Sequence, residues 1–205
     1  MSIAVLLPVY NSSNSFVSTI ESILKNSKTP NIICFIANSD IDTVTDAEIK
    51  AFIKNCCDKS TFSEEYNKDY TVSTKVKDGC KFVYIKINPG VSVDIRDFAL
   101  KYLKNSVDIV ITARVGGVYS SDYIEKYSDK LSDGYVGAVY SDYIKDNKYV
   151  YLSHIHPMLS HHIEIADIGF KTSYIENYTR DNADTINTIY AKSLVRHIPE
   201  ALMIL

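Results

Sequence analysis

Four strand-length segments, two apolar throughout and two apolar but for Lys81, Lys86 and Asp108, each closing on polar or turn-forming residues, restrict this chain more than any other feature. They are Ile3–Val9 and residues 32–36, 81–87 and 107–111. A run that is apolar without alternation is buried on both faces, as a parallel strand is when helices cover its sheet. Between these runs the apolar period changes to three and four. Phe16, Val17, Ile20, Ile23 and Leu24 follow a Ser/Asn cluster able to cap a helix. Residues 46–56 and 93–103 repeat the helical spacing, the latter with Ile95, Phe98, Ala99, Tyr102 and Leu103 turned inward. Strand and helix in alternation predict an α/β fold, a Rossmann-like, mostly parallel central sheet flanked by helices.

The second half continues with a helix expected over 122–131, a strand over 135–143 and a helix over 184–194. Residues 57–80 are polar and interrupted by Tyr, and are expected to form a loop or a short hairpin. No repeat, low-complexity tract or linker divides the 205 residues, so one domain spanning 1–205 is expected.

Composition excludes several classes of partner. Lys and Arg number 22 against 25 Asp and Glu, a formal charge of -3, which provides no electrostatic footprint for nucleic acid or an anionic membrane. An anionic ligand must therefore be met by local charge. No apolar run approaches the roughly 20 residues of a membrane span, and the first residues lack a signal-like charged segment, so a cytoplasmic protein without a transmembrane segment is expected. Cys34, Cys56, Cys57 and Cys80 have neither metal-site spacing nor disulfide-scaffold density and read as reduced thiols.

In open α/β sheets ligands sit at the carboxyl ends of the strands, where loops and helix N-termini supply N–H groups. The clusters after Val9, Ile36, Ile87 and Ile111 are therefore the places to look. The first contains Pro8-Val-Tyr-Asn11 and the second Ala37-Asn-Ser-Asp40. The third contains Asn88-Pro-Gly90 with Arg96-Asp97 beyond it, and the fourth Thr112-Ala-Arg114.

Taken in order, these pieces resemble the family 2 glycosyltransferases of the GT-A fold. Ile3 to Asn11 with Thr19-Ile-Glu-Ser-Ile-Leu24 is similar to the family's opening, and Asn88-Pro-Gly90 with Ile95-Arg-Asp97 to its Asn-x-Gly and Ala-Arg-Asn segment. Val139-Tyr-Ser-Asp-Tyr143 and Arg196-His-Ile-Pro-Glu-Ala-Leu202 are similar to later segments, so the resemblance runs over nearly the whole chain. It implies a GT-A-like domain with a nucleotide-binding half, residues 1–117, and an acceptor half, residues 118–205. The activity implied is transfer of a sugar from a nucleotide-sugar donor to a saccharide, lipid or protein acceptor. The chain is short for this family, and acceptor-binding parts are expected to be small or to come from a protein partner or a second copy.

The resemblance also assigns roles. Pro8, Tyr10 and Asn11 would form the first nucleotide loop, with the Tyr10 ring against the base; alternatively, Pro8 and Asn11 only end a strand. Asn38 and Asp40 stand in the second nucleotide loop, where the family's acidic pair is altered, and Asn38 can still hydrogen-bond a base edge. Arg96, in the first turn of a helix, would meet phosphate together with backbone N–H groups, or pair only with solvent. The family's metal motif, Asp-x-Asp, falls on Thr112-Ala113-Arg114. Mg or Mn would be implied by the family, but Thr and Ala cannot replace hard anionic ligands and Arg repels a cation.

Two readings remain open. In the first, Arg114 replaces the metal, with Thr112 beside it on the donor, and the chain is a metal-independent transferase. In the second, the chain is a catalytically inactive GT-A-like binding or structural module. For the acceptor proton the resemblance points to Asp184, with Asp181 nearby; Asp184 is equally placed to cap a helix. His154, His156, His161 and His162 read either as a metal cluster or as a loop bordering the acceptor or phosphate site. Tyr residues between 119 and 151 read as a sugar cleft or as ordinary sheet packing. A nucleotidyltransferase is disfavoured, because Asn11-Ser-Ser-Asn14 contains no Gly.

Overall fold

The computed structural model describes residues 1–10, 16–55, 62–152, 164–175 and 182–205. Its elements are β1 (Ile3–Val9), α1 (Phe16–Leu24), β2 (Ile32–Ala37), α2 (Thr43–Asn55), β3 (Ser63–Tyr66), β4 (Tyr70–Lys77), β5 (Cys80–Ile87) and α3 (Ile95–Leu103). They continue with β6 (Ile109–Thr112), β7 (Val118–Tyr119), α4 (Tyr123–Ser132), β8 (Val136–Lys145), β9 (Lys148–Val150), β10 (Ile168–Lys171), α5 (Asn182–Tyr190) and β11 (Leu194–Ile204). All strands join one sheet in the order β3-β4-β5-β2-β1-β6-β10-β8-β11-β7, with β9 paired to β8.

The centre of the sheet, β5-β2-β1-β6, is parallel, and every residue of β1, β2 and β6 is buried. Helix α3 packs on β1 and β2, while α4 covers β6, β8 and β10. This matches the α/β architecture expected from the apolar runs. Both flanks, by contrast, are largely antiparallel, with β3-β4-β5 on one side and β6-β10-β8 on the other.

The segment expected as a loop or short hairpin, 57–80, contains β3, all of β4 and the first residue of β5. Its turn into β5 is Asp78-Gly79, both at positive φ (49° and 80°), so the chain reverses in two residues in the sense that matches strand twist. Asp146-Asn147 does the same between β8 and β9 at 51° and 58°. The helix expected over 184–194 ends at Tyr190, and Leu194–Ile204 is a strand parallel to β8. Pro199 is tolerated there because the register shifts between Ile198 and Ala201, where the ladder does not require its missing N–H.

Strand β10 is the wedge that brings the second half against the first. Gly169 pairs with Ile111 on one side and Val139 on the other. A Cβ at this position would lie 2.5 Å from Cδ1 of the fully buried Tyr127 and 3.3 Å from Leu131. Gly169→Ala is therefore expected to cost about 1–3 kcal/mol through overpacking, read as a fall in Tm of several degrees by calorimetry. An unchanged Tm would show that the Tyr127 ring has room to move.

Candidate functional site

The parallel strands all end on one edge of the sheet, and a cavity of about 380 Å³ opens there. Pro8 and Tyr10 come from the end of β1, Thr112 to Val115 from the end of β6, and Arg96 from the first turn of α3. Ala166 and Asp167 enter from the start of β10, and Asn182 from the start of α5. Tyr10 is half exposed at the rim. Along the same edge a second hollow is lined by Asn38, Ser39 and Asp40 after β2 and by residues 90–93 after β5. The Asn88-Pro-Gly90 turn that closes it has Gly90 at φ 87° and a Val91 N–H donating to Asn88 O at 3.3 Å.

The fold thus gathers Pro8, Tyr10, Arg96, Thr112 and Arg114 around one cavity, and Asn38 and Asp40 around its neighbour. Asp184 sits in the first turn of α5 but does not line the cavity; Asn182, one residue pair earlier, does. Asn182 donates through its side-chain amide to Ile165 O and Ala166 O, both at 2.9 Å, and so pins the segment that carries Asp167. Asn11, Asp181, Cys56, Cys57 and the four histidines His154, His156, His161 and His162 lie outside the described residues.

The local chemistry alters three of the sequence expectations. At α3 the side chain of Asp94 already accepts from the N–H groups of Arg96 and Asp97, at 2.9 and 3.1 Å. A phosphate here would meet the Arg96 guanidinium, not those amides. The Thr112 hydroxyl is spent on β10: it donates to Ile168 O at 3.2 Å and accepts from Ile168 N–H at 2.9 Å. Thr112 therefore clamps two strands as well as lining the cavity.

Arg114 is held in a network. Its Nη1 donates to Glu164 Oε1 at 2.6 Å and its Nε to Ala166 O at 3.1 Å, while Lys145 reaches the other Glu164 oxygen at 3.0 Å. Arg114 and Lys145 hold the Glu164 carboxyl below the usual range. Arg114 also lines the cavity. For a divalent cation the position provides a committed hydroxyl, a methyl group and a cation, so a metal does not fit it. Among the described residues no group of three His, Cys, Asp or Glu could hold one elsewhere.

The residue that sequence reasoning missed is Asp167. It is 4% exposed and lines the cavity, and its two carboxylate oxygens are buried, with no partner at close hydrogen-bonding geometry. Burial pushes its carboxyl up to about 7, against the opposing influence of Tyr119, Arg114, Tyr123 and Arg96. The Tyr119 and Tyr123 phenols lean toward it as hydrogen-bond donors and hold it lower than burial alone would. Tyr123 donates to Thr112 O at 3.0 Å, and Tyr119 accepts from Arg114 N–H at 2.7 Å and leans toward Arg114 O. The signal available in the sequence was a lone acid inside the apolar run Ile165-Ala-Asp-Ile-Gly-Phe170.

Comparison with known proteins places the fold. No family model and no curated protein sequence matches the chain. Solved structures do. The crystal structure of S. aureus TarS 1-349 superposes with a TM-score of 0.68 at 10% identity, covering all of this chain and 60% of that one. The same protein in complex with UDP-GlcNAc gives 0.66 at 12% identity, and in complex with UDP 0.68 at 10%. The chain thus spans about three fifths of the TarS segment it matches. At these identities the likeness extends to the fold, a mixed α/β, GT-A-like architecture with a large central sheet.

Proposed function

We propose that this chain is a glycosyltransferase that binds a nucleoside-diphosphate sugar and transfers the sugar to an acceptor hydroxyl without a bound metal. The observation that carries this reading is the cavity itself. Arg96, Arg114 and the buried Asp167 line it, in a fold shared with a protein crystallised with UDP-GlcNAc and UDP. Residues 1–117 would hold the nucleotide, with Tyr10 and Asn38 toward the base, and 118–205 would face the acceptor.

In this reading the Arg96 and Arg114 guanidinium groups take the diphosphate. As the bond from the sugar's anomeric carbon to the diphosphate oxygen breaks, the electron pair leaves with the nucleoside diphosphate and the arginines stabilise the growing charge. The acceptor oxygen bonds to the anomeric carbon from the opposite face and gives its proton to a carboxylate. Asp184 is the proposed proton acceptor by resemblance to the family; it stands in the first turn of α5, whose Asn182 lines the cavity.

A second reading, a binding module without turnover, is favoured by one observation: Arg114 is already paired with Glu164 and the Thr112 hydroxyl with Ile168. Titration calorimetry with UDP and UDP-GlcNAc, with EDTA or with Mn²⁺, separates the readings when followed by a UDP-release assay. Binding and release that both persist in EDTA are expected. Binding without release across a panel of acceptors would favour the module, and no binding of either nucleotide would sink both donor-dependent readings.

A further inference from the structure

Arg114 lines the cavity with an anion already on it. Its Nη1 donates to Glu164 Oε1 at 2.6 Å, and Lys145, at the end of β8, donates to Oε2 of the same carboxylate at 3.0 Å. One carboxylate therefore bridges two cations delivered by the ends of two strands, β6 and β8. This is the arrangement that two oxygens of a phosphate would make with the same guanidinium. Arg114 and Lys145 hold the Glu164 carboxyl below the usual range, so it is ionised at any pH near neutral.

The surrounding contacts argue that Glu164 is not what keeps Arg114 in place. The Arg114 backbone N–H donates to Tyr119 Oη at 2.7 Å, and its Nε donates to Ala166 O at 3.1 Å. Glu164 has an anchor of its own, since the buried Tyr143 donates through its hydroxyl to Glu164 O at 3.2 Å. Both main chains are thus fixed, and the Glu164 side chain is the part left to swing. That side chain is 46% exposed and Lys145 44%, so water and salt screen the ion pairs and make them weak. A phosphate brings more charge and a bidentate fit to the Arg114 fork, and it wins that competition. The carboxylate that gives way is not left alone, because Lys145 still holds its other oxygen.

Resting on the donor-binding reading above, we infer that Glu164 is a built-in competitor for the donor's diphosphate, holding the Arg114 guanidinium in the unliganded chain and shifting onto Lys145 when a phosphate takes its place. Lys145 is then a positioning residue: it acts on the ligand only through the carboxylate that it draws away from Arg114. The exchange swaps one ion pair for another, with no proton moved and no covalent bond broken. It also runs in reverse, so the returning carboxylate helps the nucleoside diphosphate to leave.

The test is a calorimetric titration of the wild type, Glu164→Gln, Lys145→Ala and the double variant with UDP, in EDTA. Glu164→Gln keeps the shape of the side chain and removes the competing charge, so it should bind UDP about fivefold tighter than the wild type. Lys145→Ala leaves the carboxylate with Arg114 as its remaining cation and should bind about threefold weaker. The double variant has no competitor to draw away and should bind as tightly as Glu164→Gln alone. Both side chains are partly exposed, and cooperative melting of each variant near the wild-type Tm checks that it is folded. Weaker or unchanged binding by Glu164→Gln would overturn the inference, the former by making Glu164 a support for Arg114. A double variant as weak as Lys145→Ala would also overturn it, because Lys145 would then touch the ligand directly. In each of these cases UDP still binds and the donor reading stands. If neither the wild type nor Glu164→Gln binds UDP, the donor reading fails and the inference falls with it.

Discussion

Asp167→Asn is expected to make the unliganded protein more stable at pH 8, by about 2 kcal/mol, and to change it little at pH 4.5. Carrying a carboxyl from its ordinary 3.8 up to about 7 corresponds to a penalty on the order of 4 kcal/mol for the ionised form in the folded chain. Asn removes the charge but keeps a buried polar group costing about 1–3 kcal/mol, which leaves the smaller net gain. The sign follows from proton linkage. Between about pH 4 and 7 the folded chain holds a proton on Asp167 that the unfolded chain has released, so stability falls as pH rises through that window. Below it both states are protonated, and above it the full penalty is present.

Other carboxylates slope the opposite way. Asp42, bonded by the Thr45 backbone and hydroxyl, and Asp108, bonded by Ser2, are both lowered and stabilise the fold at higher pH. The quantity to measure is therefore the difference in Tm between variant and wild type across pH, in which these shared contributions cancel. A gain of roughly 4–8 °C at pH 8 that disappears by pH 4.5 is expected for a chain of this size. A variant less stable than wild type at pH 8 would show that Asp167 has a partner in solution.

Arg114→Ala is expected to lower UDP-sugar turnover by about 10²–10³-fold, the scale seen when one preorganised donor to a developing negative charge is removed. Its effect on stability should be small. The ion pair with Glu164 is partly exposed, and such pairs contribute about 0.2–1 kcal/mol. Arg114→Lys keeps the charge and loses the planar fork, and should recover only a small part of the activity. Kinetics and melting of both variants check this together. Loss of Tm with unchanged turnover would assign Arg114 to the Glu164 network alone and remove it from the chemistry.

Much of the fold was legible because the hydrophobic effect writes periodicity into the chain. Ile3–Val9 and Ile32–Ala37 are apolar throughout and turned out buried at every position, as parallel central strands are. What escaped was set by pairing, not composition. Leu194–Ile204 reads ambiguously because Pro199 argues against a strand, and only the neighbouring β8 with its shifted register makes room for it. The Asp78-Gly79 turn was a readable hairpin signal that the polar, Tyr-broken flanks obscured.

The candidate site divides the same way. Pro8, Tyr10, Arg96 and Arg114 were legible as candidates because each stands at or just past the end of an apolar run, or in the helix that follows one, and strand ends of a parallel sheet face a common edge. Asp167 was not, because it precedes an antiparallel strand inserted between β6 and β8, whose pairing with β6 joins residues more than fifty positions apart. By itself the sequence determined which segments must be buried and which polar residues lie at their ends. Only the tertiary structure decided that Arg114 is held by Glu164, that Thr112 is consumed by Ile168, and that the Asp167 carboxylate is buried beside Tyr119 and Tyr123. Burial follows from each segment's own solvation, whereas the partner of a polar group depends on what the rest of the chain brings against it.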